Sequence, residues 1–145
     1  MNENVQSYAG FWRRFAAYMI DGVVIAFALG ALNDVLWTSL IAQYNYDEVR
    51  KIMAVSMSLM AIPLAWTYYS GMESSPLQAT IGKLAVGIYV TDLQGQRLSF
   101  GRATGRFFGK ILSGAILAIG YIMAGFTAKK QALHDMLAGT LVLSR

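Results

Sequence analysis

Three long apolar runs, separated by polar stretches, organise the chain. The first, Phe15 to Leu32, is broken only by Asp21, and only Asn33 and Asp34 part it from a further apolar stretch, "VLWTSLIA". Eighteen helical residues rise about 27 Å, near the thickness of a bilayer's hydrocarbon core. The pattern therefore predicts a transmembrane helix over 15–32, with room to extend to 42. The second run, Ile52 to Tyr69, carries no charge and predicts a second transmembrane helix over 52–69. Pro63 inside it should kink the helix or end its regular hydrogen bonding. The third run, Ile111 to Ala128, is also uncharged.

Residues 71–106 change character. "SSPLQA" is a turn-rich entry, and Val86, Ile88 and Val90 alternate with smaller or more polar neighbours. "DLQG" supplies turn residues and "RLS" a return, so a β-hairpin is expected over 85–100. The run "GTLVLS" near the C-terminus would add a third strand, since a lone hairpin is marginal in water. Ser99 is a good N-cap for a helix that follows. On that helix Gly101, Gly105, Gly109 and Ser113 form one stripe, and Arg102, Arg106 and Lys110 form another beside it. The small residues permit close approach of a second helix, and the basic stripe suits anionic lipid headgroups. The plain alternative is a solvated charged face.

The expected architecture is an all-α membrane protein forming one domain over 1–145. Two transmembrane helices would be joined by a small cytoplasmic hairpin or three-stranded element to an interfacial and third apolar helix over 100–128, then a C-terminal segment over 129–145. Lysines and arginines orient it. Arg13 and Arg14 precede the first run, and Lys83, Arg97, Arg102, Arg106 and Lys110 follow the second, so both sides should be cytoplasmic. A full crossing by the third run would carry Lys129 and Lys130 outside, which a re-entrant or broken helix bent around 114–120 avoids. A cleaved signal peptide fits less well, because the first run is long for one and contains an acid.

Composition narrows the function. Hydrophobic residues make up 56% of the chain and charged residues 14%, against about 25% charged in soluble domains. With the basic residues flanking apolar runs, the net charge of +4 points to lipid phosphate and away from nucleic acid. The chain has no cysteine, which excludes disulfides, thiolate metal sites and cysteine nucleophiles. His134 is the only histidine, so a multi-histidine metal site within one chain is excluded too. Neither "TIGK" nor "GRFFGK" has the spacing of a phosphate-binding P-loop. No nucleophile motif or cofactor fingerprint is present, so neither an enzyme nor a cofactor is expected.

The candidate chemistry starts at Asp21. A carboxylate within a membrane helix is a functional-site hypothesis by default, able to exchange a proton for a metal cation. Arg14 lies seven residues earlier, on the same helical face and about 10 Å away along the axis, with Tyr18 between them. The competing reading is a structural carboxylate hydrogen-bonded to a neighbouring helix through Tyr68, Tyr69, Thr67 or backbone near Pro63. A second polar concentration is "KKQALHDMLAGT", in which His134 and Asp135 point about 100° apart on a helix and make no ready dyad.

Together "GFWRRFAAYMID", "TIGKLAVGIYVTDLQGQRLSFGRATGR" and "KKQALHDMLAGT" resemble the RDD family of bacterial membrane proteins, over nearly the whole chain. The family is named for one arginine and two aspartates, which fall by motif on Arg14 (Arg13 being the alternative), Asp21 and Asp135. The resemblance implies an integral protein of the bacterial cytoplasmic (inner) membrane, suspected of transport, some members being associated with sodium/proton antiport. The implied ion-binding set is Arg14, Asp21 and Asp135, supported by Arg13, Tyr18 and His134. Sodium ions and protons would be its ligands. A two-span chain is too small to enclose a pathway, so a homo-oligomer is expected. The alternative is an accessory membrane protein in which the three residues fasten the fold.

Overall fold

The computed structural model describes residues 7–115 and 119–145. Two long helices dominate it: α1 over Phe11–Ile41 and α2 over Tyr46–Ser74, each long and apolar enough to cross a membrane. Both exceed the predicted spans, and α1 runs through Asn33 and Asp34 without a break. At the turn between them, the Asn45 side chain caps α2 by accepting from the Glu48 N–H at 3.0 Å. Pro63 lies inside a continuous α2. Most side chains in the apolar stretches face outward, Phe27 being 80% exposed and Val23 70%. Such surface is intolerable in water and ordinary in lipid.

A compact cap gathers at one end of the helix pair. It contains α3 (Ile81–Ala85), β1 (Ile88–Asp92), α4 (Phe100–Ala115), α5 (Ile119–Ile122), a 3-10 turn (Met123–Gly125), α6 (Leu133–Ala138) and β2 (Thr140–Ser144). The small core of Ala9, Ala17, Ile88, Val90, Leu98, Ala103 and Val142 sits where the cap meets α1. Ser99 caps α4 as expected, its hydroxyl accepting from the Arg102 N–H at 3.3 Å.

The expected hairpin over 85–100 is not formed. Instead β1 pairs antiparallel with β2, Val90 opposite Val142, in a two-stranded sheet. The other edge of β1 is already occupied, because Val90 N–H donates to Gln78 O at 2.7 Å and the Gln78 side-chain amide donates back to Val90 O at 3.1 Å. The turn over 92–96 does form, with Asp92 Oδ1 accepting from the Gln94 and Gln96 N–H groups. Leu98 then leaves the sheet to bury itself in the core. Residues 7–9 line the far edge of β2, through Ala9 N–H to Val142 O and Ser144 N–H to Ser7 O.

A continuous third apolar helix is likewise absent among the described residues. The run divides into the end of α4 and the short α5 with its 3-10 turn, and the expected bend falls partly on 116–118, outside the described residues. The chain doubles back on itself. Tyr121 Oη donates to Lys110 O at 2.8 Å, and a Cβ at Gly120 would stand 2.8 Å from the Ser113 Cβ. The small-residue stripe works at one position in particular: a Cβ at Gly109 would stand 3.1 Å from His134 Cβ, so α6 lies directly against α4.

Candidate functional site

The three family residues do not form one cluster. Asp21 is 1% exposed and sits in a clasp between α1, α2 and the start of α3. Its Oδ1 accepts from Tyr68 Oη and from Gly82 N–H, each at 2.7 Å, and its Oδ2 accepts from Thr80 Oγ1 at 2.6 Å. Glycine at 82 is required by crowding, because a Cβ there would run into Ala17 O and come within 2.8 Å of Asp21 Oδ1. All three donors are neutral, and among the described residues no cation pairs with Asp21.

Arg14 and Asp135 meet in a separate, charged network. Arg14 Nη1 bonds Asp135 Oδ2, while its Nε and Nη2 donate to Ala9 O (2.9 Å) and Lys130 O (2.6 Å). Asp135 Oδ2 also accepts from the Ala132 N–H at 3.0 Å, which fixes the first turn of α6. Arg106 bridges two carboxylates. Its Nε and Nη2 reach Asp135 Oδ1 at 3.0 and 2.6 Å, and its Nη1 reaches Glu73 Oε2 at 2.7 Å. Glu73 Oε1 bonds the Lys83 ammonium and accepts from Lys110 Nζ at 3.1 Å, and Lys110 also lies 4.1 Å from the Tyr69 ring centre. The network thus ties the ends of α1 and α2 to α3, α4 and α6.

Burial and charge set the titration of the groups outside the two long helices. Burial by itself would raise Asp135, but Arg106 and Arg14 outweigh it and hold the carboxyl well below the usual range. Burial pushes His134 down to about 3, only partly offset by Asp135, so its imidazole is neutral. Burial also pushes the Lys83 ammonium down, to about 7, although Glu73 pulls the other way.

The supporting residues divide. His134 is buried beside Ser113, with 3.4 Å between Nδ1 and Oγ, and its ring is 5.2 Å from that of Tyr121. Arg13 is on the surface and donates to Ser144 Oγ at 3.0 Å, which leaves Arg14 as the arginine of the network. Tyr18 is exposed but borders a cavity of about 480 Å³, which Arg14, Asp21, Lys83, Arg106, Lys110 and His134 also line. The expected basic surface stripe is corrected. Only Arg102 is exposed, whereas Arg106 and Lys110 turn inward because Glu73 and Asp135 need buried partners. Glu73, Lys83, Thr80 and Gly82 are the site residues that sequence reasoning missed. The visible signal was "TIGK", whose Thr, Gly and Lys each meet an acid, and the lone acid of "GMESS" at the end of the second run.

Residues 8–139 match the sequence model of the RDD family. Two proteins of Bacillus subtilis (strain 168) are similar over nearly the whole chain. "Uncharacterized protein YxaI" is 36% identical, covering 93% of this chain and 96% of its own. "Uncharacterized membrane protein YteJ" is 28% identical, covering 94% and 81%. No solved structure matches.

Proposed function

Because the chain belongs to the RDD family, we propose that it is a transport-related protein of the bacterial cytoplasmic membrane, a cation/proton (Na+/H+) antiporter subunit acting as a homo-oligomer. The observation that carries this reading is the state of Asp21. It is a buried carboxylate in an apolar helix, bonded only by neutral donors, on the wall of a cavity. A carboxylate without a resident cation is open to neutralisation by a proton or a small cation, and the Tyr68 and Thr80 hydroxyls can turn their lone pairs to such an ion. Arg14 and Asp135 take a different part. Their charges are matched by fixed partners, so they hold the frame in which Asp21 exchanges. In this reading α1 and α2 span the bilayer, and the cap, including α5, lies on the cytoplasmic side with residues 7–14 and 129–145.

The test is sodium-driven proton flux in liposomes carrying a pH dye. Asp21→Asn should reduce that flux at least tenfold, and equal flux from the two proteins refutes exchange at Asp21.

A second reading, in which the carboxylates only fasten the fold, is favoured by the crowding at Gly82 and by the full pairing of Asp135. It requires Asp21→Asn to lose abundance or thermal stability in proportion to any lost flux. A stable, abundant and inactive variant speaks against it.

A further inference from the structure

The cavity has a charged wall and an apolar mouth. Lys83 and Lys110 line its inner wall, and both ammoniums lean on one oxygen, Glu73 Oε1. An ammonium has three N–H donors. Among the described residues each of these two has one hydrogen-bond acceptor and Lys110 also rests on the Tyr69 ring, so two N–H donors of Lys83 and at least one of Lys110 are open to a further acceptor. Charge points the same way: with Lys83 protonated, Arg14, Lys83, Arg106 and Lys110 face Asp21, Glu73 and Asp135, an excess of one positive charge among the described residues. At the other side Phe15, Tyr18 and Ile122 border the cavity while being 48%, 59% and 46% exposed. The mouth therefore opens along the apolar flank of α1, where lipid chains would lie.

We propose that this cavity holds the oxyanion headgroup of an anionic phospholipid, with Lys110 and Lys83 donating to its phosphate oxygens and an acyl chain leaving past Phe15 and Tyr18. A phosphate supplies several strong acceptors and the missing negative charge. The volume of about 480 Å³ falls within the range of small-ligand sites. An attached chain satisfies the apolar mouth, which a soluble phosphate leaves uncovered. The site does not rest on exchange at Asp21 and is read out without flux.

Native mass spectrometry of the detergent-solubilised full chain tests it, with phosphatidylglycerol, phosphatidylcholine or inorganic phosphate added separately. One phosphatidylglycerol should be retained per chain, at least tenfold more tightly than phosphatidylcholine. Lys110→Gln should weaken retention about tenfold, while Lys110→Arg and the outward-facing Arg102→Gln should not. Equal retention of the two lipids overturns the proposal whatever the variants do, so misfolding of Lys110→Gln leaves it falsifiable. An equal loss in Arg102→Gln also overturns it, by placing the lipid on the outer surface. Displacement of the lipid by millimolar inorganic phosphate would assign the site to a soluble anion and overturn the lipid.

Discussion

Replacing Arg106 by methionine should be the most damaging single change in the charged network. The side chain is 2% exposed and its three donors serve two carboxylates. Without it, Asp135 Oδ1 loses both of its hydrogen-bond donors, with only His134 Nε2 left nearby at 3.5 Å. Glu73 Oε2 loses its one partner, although Oε1 keeps Lys83 and Lys110. Two buried carboxylate oxygens are thus orphaned together. An unsatisfied buried group costs about 1–3 kcal/mol, and breaking a buried ion pair about 3–5 kcal/mol, so a loss of about 4 kcal/mol is expected. For a chain of this length that corresponds to a fall of roughly 10–15 °C in Tm. Arg106→Lys keeps the charge but cannot fork between two carboxylates, and should fall between wild type and methionine. Thermal unfolding in detergent micelles, followed by intrinsic tryptophan fluorescence, measures all three. The control is Arg102→Met, whose native side chain is 46% exposed and makes one 3.4 Å contact with Asp92. Equal Tm values for Arg106→Met and Arg102→Met would refute the reasoning.

Three other outcomes follow from the same structure. Gly82→Ala should cost about 1–3 kcal/mol by forcing α3 off α1, and an unchanged Tm counts against the clasp. Gly109→Val should separate α6 from α4 through the contact with His134, lowering stability and opening the 133–138 amides to hydrogen exchange; unchanged exchange there contradicts the packing. Acid should destabilise the protein. His134 titrates at about 3 when folded against 6.5 otherwise, so below pH 6.5 the unfolded chain binds more protons, and about 2 kcal/mol should be lost by pH 5. Asp135 extends the loss to lower pH, since its folded value is also depressed. His134→Gln should flatten the curve between pH 6.5 and 5, and an identical slope would show that other groups dominate.

The two long helices were legible because their apolar runs are long enough for a membrane-spanning helix and nearly free of charge, and α1 and α2 both contain the expected spans. The Ser99 cap and the β2 strand were also legible from local signals. The hairpin was misread because sequence shows a strand's own pattern but not what occupies its edge; Gln78 reaches β1 before residues 97–99 can. The basic stripe failed for a related reason. Periodicity put Arg102, Arg106 and Lys110 on one face, but two of them turn inward because acids 37 residues earlier and 29 later along the chain need partners. Tyr68 was among the foreseen partners of Asp21, whereas Thr80 caps α3 and Gly82 lies within it, so both depend on the packing of α3 against α1.

The separation of the two polar clusters also orders the birth of the protein at the ribosome. Asp21 can be fastened as soon as residue 82 has emerged, because Tyr68, Thr80 and Gly82 are then all in hand. Arg14 must wait for Asp135, which is 121 residues downstream, and Arg106, which can already meet Glu73, gains its second carboxylate only then. A nascent chain therefore passes through a stage with its helix pair joined and its cap still electrostatically unfinished. α6, which carries Asp135, is the segment whose arrival ends that stage.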